Sequence, residues 1–209
     1  MNILRDSLTE SPGRYLERVP VGSYVRVSEL PGSTSAAKSA ASRAAARGEL
    51  SHVSKGLYYK GAKTRYGSLT PPVEDVAREV LGSAGVGPAG VSAARALGLT
   101  NQIPAVAEFV TIARVPDGLR HVRVSTRSNV ARLDLTYIEI AVLEVLRTWR
   151  TTVDGGWSAT VTAIATLVAD GTVRLGPLRR AAAREHHREL RERMRDLLGE
   201  LAATERSAA

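Results

Sequence analysis

The segment from Ser33 to Gly48 constrains the fold more strongly than any other part of this sequence. Hydroxyl side chains at its start can cap a helix and Gly48 can end one, which predicts a helix that runs to about Arg47. One arc of this helix contains only alanine, at positions Ala37, Ala40, Ala41 and Ala44. Because alanine is small, the helix can pack very closely against a neighbouring element. The opposite arc has hydroxyls and two cations but no carboxylate, and comprises Ser35, Lys38, Ser39, Ser42 and Arg43.

The elements around this helix follow the order of a winged helix-turn-helix. The sequence before it predicts a helix interrupted by a proline and glycine, a short strand and a single helical turn, over residues 2–19, 23–27 and 28–30. Residues 49–60 alternate as a hairpin around the turn Ser54-Lys55-Gly56. In this arrangement the alanine-faced helix is the recognition helix, and Lys55 lies at the tip of the wing.

The positive charge of the chain is concentrated in the same region. The full sequence of 209 residues has a formal net charge of +8, and its first 66 residues contain 11 basic and 5 acidic side chains. A localised positive excess is typical of a polyanion-binding surface, although charge alone would equally fit a small domain kept soluble. Together with the recognition helix and the hairpin, it predicts a DNA-binding domain.

A second, mainly helical domain is expected after the segment 61–72, which contains Pro71-Pro72 and is interpreted as a linker. Helices are predicted over 73–81, 88–97, 135–149, 157–169 and 178–202, and strands over 105–113 and 119–126, joined by the turn Val115-Pro116-Asp117-Gly118. The sequence therefore predicts an α+β fold, mainly helical, in which a winged helix-turn-helix (1–66) precedes a helical domain with a small β-sheet (67–209). The last helix has alternating charges, and Arg184 and Arg188 on it are candidates for a partner-binding face.

Several classes of function are not expected for this chain. It has no cysteine, which excludes thiolate metal sites and a cysteine nucleophile. No apolar run is long enough to span a bilayer and no signal peptide is apparent, so a cytoplasmic protein without membrane contact is expected.

The pattern Gly85-Val86-Gly87-Pro88-Ala89-Gly90 formally matches a phosphate-binding loop but follows a helix, and is interpreted as a turn between helices. His186-His187 is interpreted as part of a solvated helix face. We expect no catalytic residues, no metal and no cofactor.

Two stretches of the sequence resemble the AbiEi-type antitoxin family, over about residues 13–170. The first is the passage from the recognition helix into the wing, in which Arg47-Gly48-Glu49-Leu50 is followed by Val53, Gly56 and Tyr58. The second stretch contains Leu69-Thr70-Pro71-Pro72, Leu97-Gly98-Leu99 and Gln102-Ile103-Pro104 and resembles the domain that follows the wing in that family. The abundance of Ala, Arg, Gly and Val suggests an actinobacterial member.

The resemblance implies an antitoxin that binds its own promoter and neutralises a cognate nucleotidyltransferase-like toxin. It implies double-stranded DNA as one partner, with contacts from Thr34, Ser35, Lys38, Ser39, Ser42, Arg43 and Lys55, and it provides no catalytic residues. Two alternatives stay open: an antitoxin that phosphorylates its toxin as an atypical phosphotransferase, and a plain transcriptional regulator whose second domain senses a ligand. The oligomeric state is not defined by these patterns.

Overall fold

A computed structural model of the protein describes residues 10–116, 119 and 122–208. Over these residues the chain is mainly helical, with eight α-helices and three small sheets, which confirms the predicted α+β class. It forms two compact units. The first comprises the described residues up to Val76 together with residues 116 and 119, and the second comprises the other described residues from Ala77 onward. No helix in the described part of the chain is both long and apolar enough to cross a membrane.

The first unit has the topology of a winged helix-turn-helix, as the sequence predicts. Its elements in chain order are α1 (Pro12–Arg18), β1 (Ser23–Arg26), a 3₁₀ turn (Val27–Glu29), α2 (Thr34–Ala46), β2 (Ser51–Ser54) and β3 (Leu57–Lys60). The three strands form an antiparallel sheet in the order β1–β3–β2. The first helix begins at Pro12, after the cap residue Ser11, and residues 2–9 of the predicted helix lie outside the described residues.

Helix α2 forms for the local reasons that the sequence indicates. The Ser33 hydroxyl accepts a hydrogen bond from the backbone N–H of Ala36 at 3.2 Å, and Gly48 follows the helix at a positive φ of 68°. All four alanines of the predicted arc are buried, and Ala41 is completely inaccessible to solvent. They pack in one core with Leu16, Val25, Val27, Leu30 and Leu50. The alanine arc is therefore the face by which α2 joins its domain.

Enlarging this buried arc should destabilise the first unit. We expect Ala41→Leu to lower its free energy of unfolding by about 1–3 kcal/mol, because a fully packed site has no room for a larger side chain. The matched control is Ala36→Leu, which makes the same change at an exposed position of the same helix and should leave stability unchanged. Calorimetric unfolding of the two variants measures the difference, and equal stability would contradict the packing described here.

The segment 61–72 is not the plain linker that its composition predicts. It contains a second small hairpin, in which β4 (Lys63–Thr64) pairs with β5 (Gly67–Ser68). A Cβ atom at Gly61 would lie 1.9 Å from the Leu69 carbonyl oxygen, so only glycine allows the two backbones to approach this closely. In chain order, the first unit passes into the second after Val76, within α3 (Val73–Leu81).

The second unit is built around one buried helix. Its elements after α3 are β6 (Gly87–Pro88), α4 (Gly90–Ala96), β7 (Ala107–Thr111), β8 (Val122–Thr126), a 3₁₀ helix (Val130–Asp134), α5 (Tyr137–Thr152), α6 (Gly156–Ala169), α7 (Leu175–Ala183) and α8 (Arg188–Ala208). A capping box between Thr136 and Glu139 starts α5. This helix is the one that the sequence predicts over 135–149, and its residues 139–146 are buried on every face.

Three details of the second unit differ from the sequence-based expectations. Pro88 belongs to strand β6 and pairs with β7, so the next helix starts only at Gly90. Strands β7 and β8 run parallel, and a tight turn cannot join parallel strands; Asp117 and Gly118 of the predicted turn lie outside the described residues. The predicted long helix over 178–202 is two helices, α7 and α8, separated at residues 184–187.

A buried ionic cluster occupies the position of this break. Arg132 is completely buried, and its Nε donates to Glu185 Oε1 at 2.7 Å while its Nη1 lies 2.8 Å from Glu144 Oε1. Arg127 donates to both oxygens of the buried Glu144, and Arg147 Nη2 donates to Glu185 Oε2 at 2.7 Å. The cluster joins the 3₁₀ helix to α5 and to the end of α7. It holds three arginines and two carboxylates together inside the unit.

The charges of this cluster depend on one another. Burial alone would raise the pKa of Glu144 and Glu185, since it penalises the charged form. Hydrogen bonds and Coulombic attraction from the arginines outweigh burial and bring both pKa values below the usual value for glutamate. Both carboxylates are therefore ionised in the folded protein at neutral pH.

Candidate nucleic-acid interface

The exposed face of α2 has the chemistry expected of a recognition helix. Its six predicted contact residues are all solvent-exposed: Thr34, Ser35, Lys38, Ser39, Ser42 and Arg43. All of them except Thr34, which begins the helix, lie on the arc opposite the buried alanines. Four of the six are hydroxyl side chains, which can bond to phosphates or base edges and are short enough for the helix backbone to enter a groove. Helix α2 contains no carboxylate over its whole length. The structure thus places five of these residues on one exposed face of α2 and Thr34 at the exposed start of the helix.

The N-terminus of α2 adds to the positive potential of this surface. The free N–H groups of the first helical turn carry a partial positive charge, which favours anions such as phosphate. Ser33 caps one of these N–H groups, and no acidic side chain lies in the first turn. The N-terminus of the helix and the side chain of Lys38 therefore both favour the binding of an anion such as phosphate.

Some cations of the first unit are bonded to other groups of the protein, whereas others form no ion pair with a described residue. Four of them are engaged within the protein: Arg18 with Glu10, Arg26 with Glu29, Arg47 with Glu49, and Lys60 with the carbonyl oxygens of Leu16 and Glu17. The side-chain hydrogen bond between Arg47 and Glu49 raises the pKa of Arg47 and lowers that of Glu49. The other six described cations form no ion pair with any described residue: Arg14, Lys38, Arg43, Lys55, Lys63 and Arg65. Among these, Lys38 and Arg43 lie on the exposed face of α2 and Lys55 on the wing.

Lys55 lies where the sequence predicts it, at the tip of the β2–β3 wing. The turn is closed by Gly56, whose φ of 74° is in the left-handed region that favours glycine. Behind the tip, the rings of His52 and Tyr58 face each other across the two strands, with centroids 5.3 Å apart and nearly perpendicular planes. The wing is thus stiffened by a cross-strand aromatic pair, and Lys55 projects from its exposed end.

The candidate partner residues Arg184 and Arg188 lie elsewhere and on two different helices. Arg184 caps the end of α7 and Arg188 begins α8, so they are not successive turns of one helix as predicted. Both are exposed, and Arg188 Nε donates to Glu192 at 2.7 Å. Glu185 between them does not lie on a solvated face, because it is buried in the ionic cluster. His187 caps α8, with its Nδ1 accepting from the N–H of Leu190.

Two basic and aromatic residues of the first unit were not identified from the sequence. Arg65 and Tyr66 form the exposed tip of the β4–β5 hairpin, and Tyr66 is 85 % exposed. The composition of the segment, with its Lys, Gly, Ser and Pro, predicts a linker. The basic residues Lys63 and Arg65 followed by the aromatic Tyr66, just before Gly67, are the signal that indicates a binding tip.

The glycine-rich pattern between α3 and α4 is part of a sheet. Residues 85–89 are buried, and the N–H of Ala89 donates to the carbonyl oxygen of Glu108. A Cβ atom at Gly87 would lie 2.5 Å from Ile140 Cγ2, so this glycine allows the strand to pack on α5. The pattern does lie between α3 and α4, but the interpretation as a turn is wrong for Gly87 and Pro88, which form strand β6. Within the described residues, no cluster of histidine and acidic side chains could hold a metal ion.

Comparison with known proteins defines the family. Residues 16–132 match the sequence profile of a family of unknown function, DUF6088. The chain belongs to the DUF6088 family. The matched region contains α2 and both hairpins and ends at Arg132 of the buried cluster, whereas Arg184 and Arg188 lie beyond it.

One solved structure with a similar fold is the crystal structure of the Rv2827c protein from Mycobacterium tuberculosis. The two chains are 19 % identical, and the similarity covers 91 % of this chain and 75 % of that one with a TM-score of 0.52. At this identity the similarity shows the fold alone. A comparison with curated proteins gives no match.

Proposed function

We propose that this protein binds double-stranded DNA through α2 and the β2–β3 wing. The observation that carries this proposal is the exposed, carboxylate-free face of α2, which lies opposite the buried alanine arc in a winged helix-turn-helix. In such a domain the recognition helix enters the major groove and the wing contacts the adjacent backbone. Lys38, Arg43 and Lys55, which form no ion pair with a described residue, then meet phosphates and base edges together with the four hydroxyls of α2.

Each residue of the interface has a defined part in this proposal. Lys38 and Lys55 are compact point charges suited to phosphate oxygens, which fix the position of the protein without reading sequence. Arg43 carries a planar guanidinium that can donate two parallel hydrogen bonds to O6 and N7 of guanine. Ser39 and Ser42 lie between these cations on the exposed arc, where they can bond to base edges or to the backbone.

We further propose that the protein is an antitoxin. The proposal rests on the resemblance of residues 13–170 to AbiEi-type antitoxins, and it implies that the bound DNA is the protein's own promoter. The partner would be a nucleotidyltransferase-like toxin encoded beside it, held by the second unit. Arg184 and Arg188 are both exposed there and could contact acidic groups of the toxin. A protein with these two partners acts in the cytoplasm.

One co-expression experiment tests both parts of the proposal. The full chain is produced together with the protein encoded by the adjacent gene, in cells that carry a reporter under the chain's own promoter. We expect the wild type to restore growth and to repress the reporter. Lys38→Glu/Arg43→Glu should lose repression and keep rescue, whereas Arg184→Glu/Arg188→Glu should weaken rescue and keep repression.

The outcomes separate the alternatives. Rescue with a stable complex on gel filtration supports occlusion of the toxin. Rescue without a complex, together with a gain of one phosphate in the mass of the toxin, supports a phosphotransferase. Repression without rescue supports a plain regulator that senses a ligand, and neither repression nor rescue would contradict both parts of the proposal.

A further inference from the structure

The tip of the β4–β5 hairpin exposes a large aromatic ring beside a cation. Residues 63–67 are all solvent-exposed, and Tyr66 is the most exposed of the large hydrophobic side chains that the structure describes. The guanidinium carbon of Arg65 lies 4.7 Å from the centroid of the Tyr66 ring. A large aromatic side chain that is this exposed, beside an exposed cation, is typical of a binding surface.

The hairpin has a defined shape and a fixed base. The Thr64 hydroxyl donates to the carbonyl oxygen of Gly67 at 2.8 Å and accepts from the N–H of Tyr66 at 3.1 Å, which closes the turn. At the base, the Ser68 hydroxyl donates to the carbonyl oxygen of Gly48 at 2.6 Å. Gly48 follows the end of α2, so this bond holds the hairpin against the C-terminal end of the recognition helix.

The charge of the hairpin matches that of the α2 surface. Lys63 and Arg65 are exposed and form no ion pair with a described residue. No acidic residue occurs between Gly61 and Pro72, just as none occurs in α2. The charged side chains within the recognition helix and within the hairpin are therefore all positive. Glu49, which lies between the two elements, is paired with Arg47.

We propose that the Arg65–Tyr66 tip is a second wing, which contacts the sugar–phosphate backbone and minor groove of the duplex that α2 binds. This inference rests on the proposed DNA-binding function and extends it to a surface beyond the winged helix. Arginine is favoured in a narrow minor groove by its negative potential, and the apolar ring beside it can pack on the sugars. Lys63 at the base of the hairpin would meet a phosphate.

Titration of the full chain with a labelled duplex from its own upstream region tests this proposal by fluorescence anisotropy. We expect Arg65→Ala/Tyr66→Ala to weaken binding about tenfold and to make the slope of log affinity against log salt shallower by about 1, because one phosphate contact is lost. The matched control, Arg179→Ala/Ile103→Ala, removes an exposed arginine and an exposed apolar side chain from the second unit and should bind as the wild type does.

Hydroxyl-radical footprints of the same complexes give a second readout. The double variant should lose protection of the minor groove at one side of the site and keep the protection due to α2. If the wild type binds and the double variant shows the same affinity, slope and footprint, the second wing is wrong while the proposed function stands, and the tip would then serve a protein partner. If the wild type does not bind DNA, the proposed function fails and the second wing fails with it.

Discussion

Arg132→Leu should lower the free energy of unfolding of the second unit by about 3–5 kcal/mol, because removing one partner from a buried ion pair leaves an uncompensated charge. Arg132 is completely buried and is the only side chain of the described cluster that lies within 2.8 Å of both Glu144 and Glu185. Without it the two carboxylates keep only the partly exposed Arg127 and Arg147 as cationic partners.

Tryptophan fluorescence during urea unfolding measures this change selectively. The chain has two tryptophans, and both Trp149 and Trp157 lie in the second unit. Arg188→Leu is the matched control: it removes an arginine whose ion pair with Glu192 is exposed, and it should leave the unfolding midpoint unchanged. An Arg132→Leu protein as stable as the wild type would show that the cluster contributes no net stability.

Lowering the pH should reduce the free energy of unfolding of the wild type. The folded protein holds the pKa of Glu144 and Glu185 below the usual value, so their contribution to stability is present above about pH 4.3 and is lost as the pH falls through their folded pKa values. In Arg132→Leu these carboxylates lose a partner that lowers their pKa. The stability of this variant should therefore decline less steeply with acid than that of the wild type.

Lys38→Glu/Arg43→Glu should reduce the affinity of the full chain for its upstream duplex by more than about a hundredfold. Each reversal removes a phosphate or guanine contact and adds a charge that the DNA backbone repels. Both side chains are exposed and form no ion pair with a described residue, so the reversals should leave the fold intact.

Anisotropy titrations at one fixed salt concentration give the comparison. The matched control is Arg179→Glu/Arg180→Glu, which makes the same change of charge on exposed positions of α7 in the second unit. If the control weakens binding as much as the α2 variant does, binding depends on net charge and not on the recognition helix.

The winged unit could be predicted from the sequence because its signals are local. Ser33 and Gly48 mark the ends of α2, and the burial of Ala37 and Ala41 follows from helical periodicity alone. The hairpin that carries Lys55 is likewise encoded within a few residues. Local signals of this kind also place the candidate DNA-binding residues on one face.

The buried cluster could not be predicted because its members are distant in sequence. Glu185 stands among charged residues that look like one solvated helix, and only the fold brings it to Arg132, 53 residues earlier. The parallel pairing of β7 and β8 is likewise determined by tertiary packing and not by the local sequence. The exposed tip formed by Arg65 and Tyr66 is not predicted for a different reason. The composition of its segment is typical of a linker, and the hydrogen bond from Ser68 to Gly48 that fixes the hairpin cannot be seen in the sequence.

The salt dependence of DNA binding tests the central claim most directly. Affinity of the wild type for its upstream duplex should fall steeply between about 50 mM and about 200 mM salt, with a log–log slope of about −0.9 for each phosphate contact. Lys38→Ala and Lys55→Ala should each make this slope shallower by about 0.9, and Arg188→Ala should not change it. A wild-type affinity that does not change with salt, or a slope that is the same in all four proteins, would contradict the assignment of α2 and the wing as the DNA-binding surface.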